Sequence, residues 1–178
     1  PSDIVVCICG SGDIPIAIAP HVKHVVAVDR DSKQLKYARQ QVKKVQMNFQ
    51  EFLDVKGEDP TFKDNYYKKQ RKKYFEQHRE VQNHTDKISF VQADICKTFF
   101  ECNKLHLSNV FTTAVLKNEK TLKKIPDIIK KMAQNLRQNG RIYMVDFDYI
   151  DGKLDGENHC WLPDNLAKHV NATDSVKS

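Results

Sequence analysis

Short apolar runs alternate with amphipathic segments along most of the chain. The runs are short enough, and apolar enough, to be strands that are covered by helices. We predict five such strands, at residues 3–9, 24–29, 87–91, 107–114 and 141–147.

The segments between these strands carry apolar residues at helical spacing. Residues 13–21 are predicted to form a helix with Pro15 in its first turn, where proline is tolerated. A second helix is predicted from an N-cap at Ser32, and a third over 125–136, ended by a turn at Asn139-Gly140. Regular alternation of strand and helix predicts right-handed crossovers. The predicted fold is therefore α/β: Rossmann-like and doubly wound, with a mainly parallel sheet and helices on both faces.

One polar segment, at about residues 47–86, interrupts this alternation between the second and third strands. It is too long for a plain connector, so we predict a helical insertion within a single domain of residues 1–178. The net charge is +6, and basic residues with interleaved aromatics are concentrated in this segment. A basic surface can contact nucleic acid or an anionic membrane surface, but packing of one helix face is the more frequent reason for such aromatics. Contact with nucleic acid is therefore possible but not favoured.

The composition places the chain among ordinary globular proteins, with 40% apolar and 29% charged residues. No apolar run reaches the length of a membrane span and no signal-peptide pattern is present, which predicts a cytoplasmic protein with at most peripheral membrane contact. Five cysteines lack metal-ligand spacing, so reduced thiols and no metal site are expected. Cys7 and Cys9 lie two apart in a predicted strand and should face one buried side. The oligomeric state is left open.

A glycine turn, Gly10-Ser11-Gly12, joins the first predicted strand to the first predicted helix. Glycines let the backbone turn sharply and approach a ligand, and the next helix N-terminus offers N–H groups to an anion. The second strand ends in Asp29, about 20 residues later, where a carboxylate can accept ribose hydroxyls. Ligands of such sheets bind at the carboxyl ends of the strands. The pattern predicts a nucleotide cofactor there.

The residues after the glycine turn narrow the choice of nucleotide. A dinucleotide fingerprint needs glycine or alanine at position 15, where this chain has Pro15, so an NAD-dependent oxidoreductase is disfavoured. No phosphate-binding P-loop sequence is present. Asp94 follows the third strand, where a carboxylate could reach an adenine amino group.

The glycine turn, Asp29 and Asp94 together resemble the successive cofactor motifs of class I S-adenosylmethionine-dependent methyltransferases. Residues 136–141 are similar to that family's turn into the fifth strand. The resemblance implies S-adenosylmethionine as the cofactor. It also implies a set of cofactor-binding residues, namely Cys9, Gly10, Ser11, Gly12, Asp13, Asp29, Arg30, Gln34, Asp94, Ile95, Ser108 and Asn109.

Three short segments resemble a more particular family, the S-adenosylmethionine:diacylglycerol 3-amino-3-carboxypropyltransferases of betaine-lipid synthesis. They are residues 8–13, 28–34 and Leu107-Ser108-Asn109. Val6 and Ile8 replace the acidic residue and first glycine that are usual in methyltransferases. The resemblance implies a transferase that moves a methyl or a 3-amino-3-carboxypropyl group to an undetermined acceptor, a small molecule or a lipid.

Two residues are candidates for a catalytic role, although the catalytic residues remain unidentified. His106, placed just before the predicted fourth strand, could act as a general base. Tyr66, in the insertion, could close over the cofactor. A non-catalytic module that binds S-adenosylmethionine or RNA with the same fold is the alternative to an enzyme.

Overall fold

A computed structural model describes residues 2–54, 65–108, 110, 124–145, 149–150 and 153–154. The chain divides into two compact units, Pro1–Ile95 and Cys96–Ser178. No helix within these described residues is long and apolar enough to cross a membrane. The prediction of a single domain over 1–178 stays a prediction.

Three parallel strands form the sheet of the first unit. They are β1 (Ile4–Ile8), β2 (His24–Asp29) and β3 (Ile88–Gln92), in the order β3-β2-β1. Ile8 pairs with Val28, and Asp29 pairs with Gln92. The three strands therefore end side by side, which confirms the parallel arrangement predicted from the alternation of elements.

Two helices follow β1 and β2. The first, α1, spans Asp13–Ile18 and continues as a 3₁₀ turn at Ala19–His21, while α2 spans Ser32–Met47. The predicted N-cap at Ser32 is wrong by one residue, because Asp31 caps α2 by accepting the Lys33 N–H at 2.8 Å. The apolar face of α2 is buried as predicted, through Leu35, Ala38, Val42 and Val45.

The insertion between β2 and β3 is helical, as predicted. It contains α3 (Phe49–Leu53) and α4 (Asn65–Gln77), followed by 3₁₀ turns at Arg79–Asn83 and Thr85–Lys87. Two of its aromatic rings are buried: Phe52 and Phe75 lie in one cluster with Ile16 of α1 and with Val42 and Val45 of α2. The insertion therefore shares a core with α1 and α2.

The second unit contains β4 (Cys102–Ser108), α5 (Ile125–Gln134) and β5 (Leu136–Val145), with β4 and β5 parallel. A short antiparallel pair, β6 (Tyr149–Ile150) and β7 (Lys153–Leu154), follows. The predicted fourth strand at 107–114 is wrong in its bounds, since β4 begins and ends earlier and residues 111–123 lie outside the described residues. The start of β4 was not predicted, because residues 103 and 104 are both polar and do not follow the apolar pattern of a buried strand. The pairing of β4 with β5 is irregular at the same place, between Cys102 and Lys104.

The prediction that a turn at Asn139-Gly140 ends the helix is wrong, because both residues lie within β5. The helix α5 ends at Gln134 with Asn135 as its C-cap, and Leu136 already belongs to β5. Asn139 has φ 62° within a bulge, where the step from Cys102 to Lys104 in β4 faces the step from Leu136 to Arg141 in β5. A Cβ at Gly140 would lie 2.7 Å from the Leu136 Cβ. Strand pairing, which the local sequence does not encode, therefore places Asn139 and Gly140 within the sheet.

Candidate cofactor site

The two glycines after β1 have different surroundings. The Gly12 N–H donates to the Cys9 carbonyl at 2.9 Å, which closes a tight turn, and both Gly10 (φ 48°) and Gly12 (φ 91°) are left-handed. A Cβ at Gly12 would lie 3.1 Å from the Cβ of Ala38 in α2, whereas a Cβ at Gly10 would meet nothing within 4 Å. Gly12 therefore lets the turn pack against α2, and Gly10 leaves the turn open on its other side.

Asp29 lies beside this turn, at the end of the neighbouring strand. The Cys9 N–H donates to the Val28 carbonyl at 2.8 Å, and the Ala93 N–H donates to the Asp29 carbonyl at 3.0 Å. The Asp29 Oδ1 accepts the Asp31 N–H at 2.9 Å, which orients the carboxylate. Among the described residues, no hydrogen bond reaches Oδ2. Within the part of the chain that the structure describes, Oδ2 of Asp29 is therefore left to accept hydrogen bonds from a ligand.

The other predicted cofactor contacts of the first unit lie around the same strand ends. Asp94 is half-buried and Ile95 is buried, two and three residues after the end of β3, while Gln34 is half-buried in the first turn of α2. The Gln92 side-chain amide donates to the Arg30 carbonyl at 3.4 Å, which ties the end of β3 to the segment after β2. The fold therefore gathers Gly10, Asp29 and Asp94 along three adjacent strand ends.

Asp13, also predicted to bind the cofactor, is held by an arginine of the insertion. The Nε of Arg71 in α4 donates to the Asp13 Oδ2 at 2.8 Å, and the Arg71 side chain is only 4% exposed. Arg71 is not among the residues predicted from the sequence, because it stands in a run of basic residues, a pattern typical of a solvated helix face. The available signal was its spacing from Phe75, four residues on, which places both on one face of a helix.

Cys9 and Cys7 are both buried, as their spacing in the strand predicted. Burial, together with the nearby Asp29 carboxylate, raises the pKa of the Cys9 thiol to about 12, although Arg39 acts in the opposite direction. Burial, with the neighbouring Cys9, also raises the pKa of Cys7. Both thiols are therefore protonated at neutral pH, and the Cys9 backbone N–H is already engaged by the Val28 carbonyl, so a role of Cys9 in cofactor binding stays a prediction.

The remaining predicted residues belong to the second unit or to α4. His106 lies inside β4, not before the strand as predicted, and it shares a face with Ser108, the last residue of the strand. The His106 ring is half-buried, its Nδ1 has no hydrogen-bond partner within the described part of the chain, and burial lowers its pKa. Asn109 lies outside the described residues, as does the Tyr66 side chain; only the Tyr66 backbone is described, in α4.

Comparison with known proteins gives a family match for one part of the chain. Residues 6–69, which hold the glycine turn, Asp29 and the start of α4, match the methyltransferase domain family, whose cofactor is S-adenosylmethionine. No curated protein matches the sequence. Nothing in the comparisons supports the particular resemblance to aminocarboxypropyltransferases.

Solved structures resemble the chain over nearly its whole length. The N-methyltransferase NodS from Bradyrhizobium japonicum WM9 has a TM-score of 0.51 at 14% identity, covering 96% of this chain and 71% of its own. A proposed methyltransferase from Bacillus halodurans C-125 has a TM-score of 0.52 at 16% identity, covering 96% of this chain and 62% of its own. TehB from Haemophilus influenzae has a TM-score of 0.52 at 13% identity, covering 96% of this chain and 46% of its own.

At these identities the structural likeness shows the fold alone. It confirms the predicted Rossmann-like α/β fold of methyltransferases. The fit of the cofactor to the residues present is supported by the open side of Gly10 and the adjacent Asp29 carboxylate. Residues 6–69 therefore match a methyltransferase domain family, whose cofactor is S-adenosylmethionine, and the fold around them is Rossmann-like.

Proposed function

We propose that the chain is the cofactor-binding part of a methyltransferase that acts on a small-molecule or lipid acceptor. One observation carries the proposal: a glycine turn with an open side at Gly10 lies next to the Asp29 carboxylate on an adjacent strand end. The match of residues 6–69 to the methyltransferase domain family supports methyl transfer as the reaction. When bound, S-adenosylmethionine supplies an electrophilic sulfonium that carries the transferred group.

In this proposal each residue of the site has a binding role. Asp29 accepts ribose hydroxyls through Oδ2, because its Oδ1 is engaged by the Asp31 N–H. Asp94 accepts a hydrogen bond from the adenine amino group, and Ile95 makes an apolar contact with the adenine ring. Because the reactive group comes with the cofactor, the chain needs to position two partners and to exclude water, and it needs no catalytic triad.

When the substrate that receives the methyl group is a hydroxyl or an ammonium group, the reaction also needs a residue that takes up its proton. His106 has the chemistry for this role, because burial lowers its pKa and keeps the imidazole neutral at pH 7. Its place on the same face of β4 as Ser108 supports a role for the two side chains on one substrate. The base assignment stays a prediction.

The decisive test is calorimetric titration of the chain with S-adenosylmethionine and, separately, with NAD. We expect binding of S-adenosylmethionine only, and we expect Asp29→Asn to weaken it by at least about tenfold, or about 1.4 kcal/mol. Asparagine keeps the oxygen that accepts the Asp31 N–H, so the variant removes charge and not the local turn. Asp54→Asn is the matched control, because Asp54 is an exposed carboxylate bonded to Gln50 and Lys72.

Unchanged affinity in a folded Asp29→Asn variant would remove Asp29 from the site. Binding of NAD in place of S-adenosylmethionine would replace the proposed enzyme class by an oxidoreductase. Binding of S-adenosylmethionine without turnover on any acceptor tested would favour a non-catalytic binding module with the same fold.

Transfer of a 3-amino-3-carboxypropyl group is the second candidate reaction. The sequences of residues 8–13 and 28–34 favour it, since they resemble the betaine-lipid synthesis enzymes more than ordinary methyltransferases. The by-product separates the two reactions: S-adenosylhomocysteine accompanies methyl transfer, and methylthioadenosine accompanies aminocarboxypropyl transfer. Detection of methylthioadenosine with an acceptor-dependent rate would replace the first proposal by the second.

A further inference from the structure

We propose that Arg71 is a positioning residue for the cofactor, because it holds Asp13 and thereby couples the glycine turn to the folded insertion. Arg71 lies in α4, 58 residues along the chain from Asp13. The inference rests on the cofactor site proposed above. It adds that cofactor affinity depends on a residue that lies outside the strand ends.

The contacts of the Arg71 guanidinium join three elements of the first unit. Its Nε donates to the Asp13 Oδ2 at 2.8 Å, at the start of α1. Its Nη1 donates to the Phe52 carbonyl at 2.8 Å, in α3. Its Cζ lies 4.1 Å from the centre of the Phe52 ring and 5.3 Å from that of Phe75. Two charge-assisted hydrogen bonds and two ring contacts fix this group in place.

The ion pair is buried, and this separates it from the other ion pairs of the insertion. The side chains of Arg71 and Asp13 are 4% and 13% exposed, whereas those of Lys72 and Asp54 are 42% and 49% exposed. Exposed pairs contribute little, whereas removing one partner of a buried pair leaves an uncompensated charge. Losing Arg71 should therefore displace Asp13, and losing Lys72 should displace very little.

Displacement of Asp13 reaches the cofactor turn directly, because Asp13 follows Gly12 in the chain. Gly12 is already confined on its other side, since a Cβ there would lie 3.1 Å from Ala38. The turn is thus fixed by α2 on one side and by the insertion on the other. By thermodynamic linkage, if the insertion favours the bound form of the turn, the cofactor must favour the folded insertion to the same extent.

The experiment compares Arg71→Met with Lys72→Met in the full chain, by calorimetric titration with S-adenosylmethionine at a temperature where both variants are folded. We expect Arg71→Met to weaken affinity about five- to tenfold and Lys72→Met to change it by less than about twofold. Arg71→Lys keeps the charge and loses the planar two-bond geometry, so an intermediate loss is expected. In a double-mutant cycle, Arg71→Met and Asp13→Asn should be non-additive in affinity.

A second readout needs no variant, and so stays informative if Arg71→Met fails to fold. Addition of S-adenosylmethionine to the wild-type chain should slow hydrogen exchange at the amides of residues 71–77, because the cofactor and the insertion stabilise each other. If Arg71 served stability alone, Arg71→Met would lower the unfolding midpoint but bind S-adenosylmethionine as tightly as the wild type. The cofactor would then also leave hydrogen exchange at residues 71–77 of the wild-type chain unchanged. That result would overturn the inference.

The failure of this inference can be distinguished from failure of the site itself. Wild-type binding that is lost in Asp29→Asn and kept in Arg71→Met would leave the site intact and reject the role of Arg71. Absence of S-adenosylmethionine binding by the wild-type chain would reject both proposals.

Discussion

Gly10 and Gly12, separated by one residue, respond differently to an added methyl group, so a matched pair of alanine variants tests the model of the glycine turn. At Gly12, φ 91° costs an L-residue about 1–2 kcal/mol. The new Cβ would also lie 3.1 Å from the Ala38 Cβ and 3.2 Å from its Cα. Because the backbone of α2 must then move, overpacking adds about 1–3 kcal/mol. The expected loss for Gly12→Ala is about 2–5 kcal/mol of unfolding free energy.

Gly10→Ala carries only the first of these costs. Its φ is 48° and its Cβ would meet nothing within 4 Å, so we expect a loss of about 1–2 kcal/mol with no packing contribution. The added methyl group, however, projects into the open side where the cofactor is proposed to lie. We therefore expect S-adenosylmethionine affinity to fall by at least about tenfold, which is 1.4 kcal/mol, in a variant that is still folded.

Urea denaturation gives the unfolding free energies, and calorimetric titration of the folded variants gives the affinities. Gly12→Ala should be the less stable of the two, by about 1–3 kcal/mol. Two results would refute the reasoning. Equal stability losses would mean that Gly12 does not pack against α2 as described, and wild-type affinity in Gly10→Ala would mean that the open side of the turn is not the cofactor side.

Two further predictions concern the core around the site. The Nζ of Lys87 donates to the carbonyls of Ala19 at 3.3 Å and Val22 at 3.0 Å. Lys87→Met removes this donor, so it should destabilise the chain by about 1–3 kcal/mol without changing cofactor affinity. If urea denaturation gave the variant the unfolding free energy of the wild type, this prediction would be wrong. The pKa of Cys9, raised by burial to about 12, makes the folded state hold a proton that the unfolded state loses from about pH 9 upward. This thiol's stabilising contribution is complete below pH 9 and is lost towards pH 12, by about 1.4 kcal/mol per pH unit. Stability measured from pH 8 to 10.5 should therefore fall less steeply in Cys9→Ala, and identical slopes would show that Cys9 does not carry the shift.

The sequence by itself was sufficient to predict the strands of the first unit, the buried face of α2 and the order of the glycine turn and Asp29. These features depend on short-range patterns: an apolar run, an apolar repeat of helical spacing, and glycine where the backbone must be left-handed. Parallel pairing then follows from alternation, and with it the prediction that the glycine turn and Asp29 lie side by side. The helical character of the insertion was also predicted, from its length and composition.

Other features depended on contacts between residues that are distant in the chain. The start of β4 and the place of Asn139 and Gly140 within β5 depend on a bulge, which exists only once β4 and β5 pair. Arg71 reads as one more basic residue until α4 packs against α1 and Phe52, which brings it to Asp13. The difference between Gly10 and Gly12 likewise appears only when Ala38 of α2 is in place. Local pattern determined the strands of the first unit and the buried face of α2. Tertiary packing decided which buried charge is paired and which side of the glycine turn stays open, because those properties belong to neighbours in space and not in sequence.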